Sequence, residues 1–390
     1  MNMMISSKNT KKYSQEEKKM IIMNLMIDNF FAFKNFHMNM SYPKKLVDSS
    51  IEGEFLKDRQ NFRYKKVNIL MGANATGKTS VGKMLMAIFN FIDRKESARL
   101  VEKIGDKEKV ASFSMDFVVK SNKMYRLDVQ ISPEDGDGKD GNQQVRAFTR
   151  CTDINIKDSY EACAKKIEGI ELDLNDEFSK ELEKIEHIGW MFSYPSDLMG
   201  GIVKCSENPK YPLILDKTLR ALDPSIKRVE KIDKVKNTYV VRMGLHDLII
   251  QDGEVIKENI LSSGTKAGID IAHMLAAILA GECGFYYCDE KFSYTHSEIE
   301  KAFLSVMIDG LKDDEQLFFT THNTDVLDLQ LPKHTYTFLK KDIYDVDTPI
   351  KCIDASHYLK RNTDSLRNAV DNDLFNASPE VELIYEIGNI

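Results

Sequence analysis

The stretch from Val67 to Ser80 constrains the fold more than any other part of the sequence. It opens with an apolar run, Val67 to Met71, which is typical of a buried strand. A loop framed by glycines follows, Gly72 to Lys78, and an amphipathic run from Ser80 to Ile92 predicts a helix. The loop matches the pattern G-x-x-x-x-G-K-[ST] in the strand–loop–helix context that a phosphate-binding loop requires. The sequence therefore predicts an α/β fold built around a site for a nucleoside triphosphate.

The residue types in this loop explain how it would hold phosphate. Gly72 and Gly77 permit a tight turn whose backbone N–H groups point inward, and the helix N-terminus adds its dipole to the anion site. Lys78 would reach the β- and γ-phosphates, and the hydroxyl of Thr79 would ligate Mg²⁺. The predicted nucleotide-binding residues of this loop are Gly72, Asn74, Ala75, Thr76, Gly77, Lys78, Thr79 and Ser80.

The composition is that of an ordinary globular protein. Of the 390 residues, 42% are hydrophobic and 29% are charged, and the net charge of −7 provides no overall electrostatic attraction for nucleic acid. No apolar run approaches the length of a membrane span, and the first 20 residues lack the apolar core of a secretory signal. The six cysteines form no C-x-x-C pair and no zinc spacing, which favours reduced thiols. We therefore expect a cytoplasmic protein without a membrane partner.

The remainder of the first half divides into segments of different pattern. Residues 1–20 are polar and predict a flexible N-terminal extension. Two apolar runs, one on either side of Ser121, predict a hairpin in an antiparallel β lobe. Residues 21–147 would hold both this lobe and the phosphate-binding loop. Residues 148–241 are mostly polar and helical in pattern, with an aromatic turn at Trp190, and predict a helical insertion.

A second group of motifs lies within residues 242–345, before a predicted C-terminal tail, 346–390. Leu261-Ser-Ser-Gly-Thr-Lys266 precedes an apolar run that predicts a helix. Phe285-Tyr-Tyr-Cys-Asp-Glu290 has the pattern of a buried strand that ends in two acids, which would deliver Asp289 to Mg²⁺ and Glu290 to the attacking water.

A further predicted strand, Gln316 to Thr320, leads to His322, which would sense the γ-phosphate and steady the water. Each of these motifs is unspecific by itself. Their order along the chain is diagnostic: phosphate-binding loop, Leu-Ser-x-Gly before a helix, strand ending Asp-Glu, and strand ending Thr-His.

This order resembles that of the ABC-type ATPases, in the branch that holds SMC, RecF, RecN and OLD (overcoming lysogenization defect) proteins. It is most similar to small stand-alone ATPases of the AAA-domain, abortive-infection type. Three further segments carry the resemblance, which covers most of residues 21–345: Asn29-Phe-Phe-Ala-Phe-Lys34, Leu222-Asp-Pro-Ser-Ile226, and the run from Asp289-Glu290 to His296. It implies a P-loop NTPase of ABC-ATPase type: a central, mostly parallel sheet with helices on both faces, an N-terminal antiparallel β lobe and the helical insertion.

The resemblance also implies a homodimer, or a higher homo-oligomer, assembled head to tail around ATP and Mg²⁺. In that family the signature serine and glycine act in trans. Ser262, Ser263 and Gly264 of one subunit would therefore contact the nucleotide that the other subunit holds. The implied catalytic residues are Glu290 and His322, and the implied metal ligands are Thr79 and Asp289.

Some positions depart from the family pattern. The signature is Ser-Ser-Gly-Thr, and the segment that follows Glu290 lacks the aspartate usual in a D-loop. His296 is followed by Ser297 where that run usually has proline. No Q-loop glutamine can be assigned, the candidates being Gln130, Gln143 and Gln144.

We expect an ATPase, converting ATP to ADP and phosphate, whose effect passes through another protein. No Asp-x-Asp cluster with room for a metal-binding domain follows the ATPase motifs, and no His-Asn-His nuclease constellation or zinc cluster appears. The expectation is therefore a sensor or regulator of a separate effector, such as a nuclease, in bacterial anti-phage defence. One alternative is a RecF- or SMC-like ATPase that binds DNA in repair or maintenance. The other is an ATP-stabilised scaffold without significant turnover, against which Glu290 argues because a scaffold needs no general base.

Overall fold

The protein is represented by a computed structural model. It describes residues 3–5, 20–42, 49–119, 122–133, 144–171, 178–194, 208–244, 247–252, 254–256, 263–361, 364–375 and 382–388. The strands are β1 (Met3–Ile5), β2 (Ile21–Asp28), β3 (Phe36–Asn39), β4 (Phe55–Leu56), β5 (Arg59–Arg63), β6 (Val67–Met71), β7 (Ala111–Val119), β8 (Lys123–Ile131), β9 (Val145–Asp153), β10 (Trp190–Ser193), β11 (Ile226–Lys231), β12 (Thr238–Met243), β13 (Asp247–Gln251), β14 (Glu254–Ile256), β15 (Phe285–Asp289), β16 (Gln316–Thr320), β17 (Tyr336–Lys341) and β18 (Ile350–Asp354). The helices are α1 (Lys78–Arg94), α2 (Ala98–Val101), α3 (Tyr160–Glu168), α4 (Phe178–Glu183), α5 (Tyr211–Leu222), α6 (Ser263–Ala280), α7 (Ser297–Gly310), α8 (Ala355–Tyr358), α9 (Leu366–Asp371) and α10 (Glu382–Ile387).

The central sheet has seven strands in the order β1-β10-β15-β16-β6-β17-β18. The inner strands are parallel, and β1 and β18 add antiparallel edges. Successive side chains of β15 enter different clusters: Phe285 and Tyr287 pack with α1, whereas Tyr286 and Cys288 pack with α6 and α7. Helices thus cover both faces, which is why β6, β15 and β16 are apolar along nearly their whole length. The predicted parallel sheet is confirmed.

The predicted antiparallel lobe is present as a five-stranded sheet in the order β3-β2-β7-β8-β9. Its apolar face belongs to the same cluster as α1, so the lobe and the phosphate-binding helix share one core. A buried charge ties its strands to α3. The carboxylate of Asp116 accepts two hydrogen bonds from Arg126, at 2.6 and 2.7 Å, and one from the Tyr160 hydroxyl at 2.8 Å.

The segment 148–241 differs from the predicted helical insertion. It holds helices α3, α4 and α5, but also part of β9, all of β10 and β11, and most of β12. The strands β11 to β14 form a four-stranded sheet that packs with α5 against α6. The pattern of Tyr239 to Ile250 predicts two strands, and β12 and β13 lie there. The strand β11 was missed because its two apolar residues, Ile226 and Val229, are three positions apart, a spacing typical of a helix.

The Trp190 region is also a strand rather than an aromatic turn. All four residues of β10 are buried, and β10 pairs in parallel with β15. Three apolar residues followed by a serine have no periodicity that distinguishes a buried strand from a packed corner.

The two ends of the chain contribute to the core more than predicted. Met3–Ile5, expected to be part of a flexible extension, forms the edge strand next to β10; residues 6–19 lie outside the described part. In the predicted tail, β18 joins the central sheet, and Leu366 and Phe375 are buried in the cluster of α6 and α7. None of the helices in the described ranges combines the length and apolarity needed to cross a bilayer.

We predict that Gly82→Ala lowers the free energy of unfolding by about 1–3 kcal/mol, the usual range for overpacking. A Cβ at Gly82 would lie 2.5 Å from Cε1 of Tyr287, a ring held in the buried interface between α1 and β15. The midpoint of urea unfolding, followed by the fluorescence of Trp190, the single tryptophan, measures the change. Gly169→Ala is the control, because its Cβ would meet nothing closer than 3.6 Å. Equal midpoints for Gly82→Ala and wild type would contradict this view of the interface.

Candidate functional site

The loop after β6 has the backbone shape of an anion nest. Gly72, Ala75 and Gly77 have φ values of 149°, 62° and 104°, so the chain turns sharply three times before α1 begins at Lys78. A Cβ at Gly72 would stand 2.4 Å from the carbonyl oxygen of Leu339, which leaves glycine as the residue that fits there. Backbone N–H groups in such a turn converge on an anion at the start of a helix.

Lys78 extends back over this loop. Its ammonium donates hydrogen bonds to the carbonyl oxygens of Gly72 at 2.8 Å and Ala73 at 3.1 Å. It also lies 3.5 Å from the carboxylate of Glu290 and 3.3 Å from Nδ1 of His322. Burial lowers the pKa of Lys78, and the negative charge of Glu290 partly offsets that effect.

Glu290 and His322 meet in front of the loop. Nε2 of His322 lies 2.8 Å from the carboxylate of Glu290. A neutral imidazole with the proton on Nε2 satisfies both contacts, because Nδ1 then accepts from Lys78 and Nε2 donates to Glu290. Burial acts to raise the pKa of Glu290, but the hydrogen bond from His322, together with the charge and hydrogen bond of Lys78, outweighs it and lowers the pKa. The carboxylate is therefore held ionised.

Asp289, at the end of β15, has an oxygen that fits a metal ion. Oδ1 accepts a hydrogen bond from the Thr320 hydroxyl at 2.6 Å, whereas Oδ2 is buried and has no hydrogen-bond partner. Burial raises the pKa of Asp289, and the hydroxyls of Thr320 and Thr79 oppose the rise. A buried carboxylate oxygen without a donor, close to a threonine hydroxyl, is a donor set that suits Mg²⁺, which keeps several waters and takes few protein ligands. Across the described ranges no group of three or more His, Cys, Asp or Glu side chains could hold a metal ion.

The cleft in front of these groups has a volume of about 430 Å³. The predicted loop residues Asn74 to Ser80 line it together with Glu290 and His322, and two apolar residues, Ala32 and Ile350, line one side. The sequence-predicted loop, Glu290 and His322 thus lie around a single opening, and Asp289 is buried beside it. Gly72 stands behind it, where its carbonyl holds Lys78.

The signature residues are only partly covered by the described ranges. Ser262 lies outside them, and Ser263 is described as the first residue of α6 without its side chain. Gly264 is half-buried in the first turn of that helix. Gly264 is not among the described residues that line the cleft, and the action of the signature residues on a partner stays a prediction. His296, the histidine of the resembling run, caps α7 by accepting from the backbone N–H of Glu298.

Three residues that support the site were not predicted from the sequence. Thr320 holds the two acids together: it donates to Asp289 and accepts from the backbone N–H of Glu290 at 3.0 Å. Tyr287 donates a 2.7 Å hydrogen bond to the carbonyl of Lys78. The sequence signal for both was their place on the predicted strands. Tyr287 lies two residues before Asp289, and Thr320 lies two residues before His322.

Tyr194 is the third such residue. It follows β10 beside the end of β15, and its buried hydroxyl has no hydrogen-bond partner. Of the glutamines considered for a Q-loop, Gln130 lies in β8 of the antiparallel lobe, Gln144 just precedes β9, and Gln143 is outside the described ranges. The residue that follows β10, a neighbour of β15 in the sheet, is therefore a tyrosine rather than one of these glutamines.

Comparisons with known proteins give structural neighbours but no sequence family. No protein-family model and no curated protein matches the chain. Among solved structures, an SMC head bound to the C-winged helix domain of ScpA is 14% identical, over 87% of this chain and 99% of that chain, with a TM-score of 0.48. The SMC head domain from Thermotoga maritima is 13% identical, over 85% and 98%, with a TM-score of 0.39. The recombination mediator protein RecF is 12% identical, over 87% and 100%, with a TM-score of 0.42. Because these TM-scores lie below 0.5, the role of each residue is inferred from its own contacts.

We predict that Thr320→Val weakens divalent-metal binding by about 10- to 100-fold, the usual effect of removing a group that orients a metal ligand. The substitution removes the hydrogen bond that aims Asp289 and leaves both oxygens of a buried carboxylate without a donor from β16. Titration of Mn²⁺ in the presence of ADP, followed by electron paramagnetic resonance, gives the affinity.

Thr337→Val serves as the matched control. Thr337 is buried on β17, and its hydroxyl donates to Asn68 at 2.7 Å, away from the two acids. We expect this variant to keep the Mn²⁺ affinity of the wild type. Equal losses in the two variants would show that the effect of Thr320→Val comes from general destabilisation.

Proposed function

We propose that this protein is an ATPase of the ABC type, which binds ATP and Mg²⁺ in the cleft at Asn74–Ser80 and hydrolyses the γ-phosphate. The observation that carries the proposal is the contact of three functional groups from separate elements: Lys78 from α1, Glu290 after β15 and His322 after β16. An ammonium, an ionised carboxylate and an imidazole at the open end of an anion nest are the groups that phosphoryl transfer to water uses.

In the proposed reaction, the nest and Lys78 bind the phosphate chain and exchange the present carbonyl partners of Lys78 for phosphate oxygens. Glu290 accepts a proton from the attacking water as the new bond to the γ-phosphorus forms and the bond to the β-γ bridging oxygen breaks. His322 orients the carboxylate through its 2.8 Å contact, with Nε2 as the donor, and lines the cleft in which the γ-phosphate would lie. Mg²⁺, held by the Thr79 hydroxyl and Asp289, would offset the negative charge of the phosphate oxygens.

The proposed assembly is a head-to-tail homodimer. The first turn of α6 carries the signature residues Ser263 and Gly264, and Gly264 is not among the described residues that line the cleft. A second subunit would bring its own signature turn, with Ser262, to the γ-phosphate, so that two ATP molecules hold the dimer together. Hydrolysis would then release it, which is an order-to-release switch.

The proposed biological role is that of a sensor or regulator of a separate effector protein in anti-phage defence. The sequence resemblance supports this role, and two exposed apolar surfaces support a protein partner. On the hairpin between β17 and β18, Ile343, Tyr344 and Val346 are 73%, 89% and 70% exposed. On α10, Ile384 and Tyr385 are 63% and 73% exposed. Grouped apolar side chains of this kind are typical of interaction sites.

We predict that Glu290→Gln lowers the ATP turnover number by about 10²- to 10⁴-fold, the usual contribution of a general base. The amide cannot accept the proton from water, but it keeps the size of the side chain, so ATP binding is retained. Mass measurement in solution with and without Mg-ATP should show a trapped dimer in this variant, and a turnover assay should show the loss of hydrolysis.

Two further variants serve as controls for Glu290→Gln. Lys78→Ala should lose both ATP binding and the ATP-dependent mass change, because it removes the ammonium group that would bind the β- and γ-phosphates. Glu183→Gln, on an exposed carboxylate that pairs with Lys95, should behave as wild type. If Glu290→Gln keeps full turnover and its mass is indifferent to ATP, the ABC-type proposal is wrong and the site belongs to another kind of P-loop NTPase.

The DNA-binding alternative makes a different prediction, and the net charge of −7 argues against it. We expect no ATP-dependent binding to a fluorescent DNA duplex or single strand in anisotropy titrations at 50 and 200 mM salt. A DNA-clamping ATPase with six to ten phosphate contacts would instead bind with ATP and lose about 10³- to 10⁵-fold in affinity over this salt range. That outcome would replace the effector proposal with a RecF- or SMC-like role.

A further inference from the structure

The residue directly after Glu290 forms a buried ion pair with the helix that carries the signature residues. Lys291 and Asp270, in the second turn of α6, are each 2% exposed, and the ammonium donates to Oδ2 of the carboxylate. The other carboxylate oxygen, Oδ1, is buried, and no described residue donates a hydrogen bond to it. Among the described residues, the pair is therefore a single directional contact between two buried charges.

Such a pair is an inefficient way to stabilise a fold. Removing two charges from water costs more than their attraction returns unless the geometry is ideal and all remaining polar atoms are satisfied. Here one oxygen remains unsatisfied. Two apolar side chains of similar volume would fill the same space at least as well. The ion pair differs from them in fixing one atom of Lys291 against one atom of α6.

The backbone at Glu290 needs such fixing. Glu290 has a φ of 44°, in the left-handed region that non-glycine residues rarely adopt. Its N–H donates to the hydroxyl of Thr320, and its carbonyl accepts from the Ser293 hydroxyl at 2.7 Å. Lys291 is the next residue, so its ion pair holds the strained backbone from the side of α6. This conformation is the one that brings the Glu290 carboxylate to Lys78 and His322.

The helix α6 is placed to transmit a displacement. Its residues Ile271 and Met274 pack with the central sheet, whereas Ile269 and Ala272 pack with α5 and the sheet β11 to β14. At Gly268 the helix is so close to α5 that a Cβ would stand 2.6 Å from Leu222. The helix is therefore held on two sides and moves as a unit, with Ser263 and Gly264 at one end and Asp270 about two turns on.

We propose that Lys291 is a positioning residue, and that its ion pair with Asp270 couples the position of α6 to the orientation of Glu290. The inference rests on the proposed function: when the first turn of α6 meets the nucleotide held by a second copy of this chain, the pair sets the general base in its own subunit. The link lies within one chain and takes the place of communication through the D-loop aspartate that the sequence lacks.

The test is a double variant in which the ion pair becomes an apolar contact, Lys291→Met with Asp270→Leu. We expect it to fold, with a melting temperature at or above that of the wild type, and to bind ATP with unchanged affinity. We expect the turnover number to fall by about 10- to 100-fold, the usual effect of a misplaced catalytic group. The Hill coefficient of turnover against ATP should fall to 1, because α6 no longer couples the two sites.

A second buried Lys–Asp pair gives the matched control. Lys65 and Asp354 lie 2.5 Å apart, with side chains 2% and 14% exposed, and they link β18 to the residue two before β6. Lys65→Met with Asp354→Asn should change stability without changing the Hill coefficient. Lys291→Met with Asp270→Asn, whose shape is closest to the wild type, provides the measurement if the leucine variant does not fold.

The outcomes separate the inference from the function on which it rests. A drop in both the turnover number and the Hill coefficient, in the Lys291 and Asp270 variants alone, supports the positioning role. Wild-type turnover and Hill coefficient in the folded double variant overturn it while the ATPase proposal stands. An absence of turnover in the wild type overturns the proposed function and this inference together.

Discussion

The contact of Tyr287 with α1 fixes the helix on the strand that carries the two acids. The ring packs on the bare backbone of Gly82, and the hydroxyl reaches the carbonyl of Lys78. A side chain at position 82 would push α1 away from β15, and the nest at its N-terminus would move with it. The distance between the ammonium of Lys78 and the carboxylate of Glu290 therefore depends on a buried aromatic ring that takes no part in the proposed reaction.

Much of the site follows from local sequence, because parallel strands end at one edge of a sheet. The loop after Met71, the acids after Cys288 and the histidine after Thr321 each follow a buried strand, so their proximity could be predicted. The strand at Trp190 could not be predicted, since three apolar residues and a serine show no periodicity, and its neighbour β15 is nearly a hundred positions away in the chain. The pairing of Lys291 with Asp270 was equally hidden, because it depends on how α6 packs and leaves no pattern in either segment.

Several ionisable groups of the site are buried, and the groups around each one decide whether it stays charged. The carboxylate of Glu290 has two positively polarised neighbours and remains ionised, whereas burial raises the pKa of Asp289 next to it. Two adjacent acids thus differ in basicity because one faces the cleft and the other faces the core. A bound metal ion would lower the pKa of Asp289, since a cation favours the charged form of its ligand.

The order of the strands has one more consequence. The strand β16 lies between β6, which leads to the loop, and β15, which leads to the acids. Neighbouring strands are roughly 4.8 Å apart, so two intervals separate the loop from the acids by about 10 Å. The side chains close this gap, because the ammonium of Lys78 lies 3.5 Å from the carboxylate of Glu290. His322, which follows the middle strand, contacts both of them. The inserted strand therefore supplies the group that stands between the cation and the base.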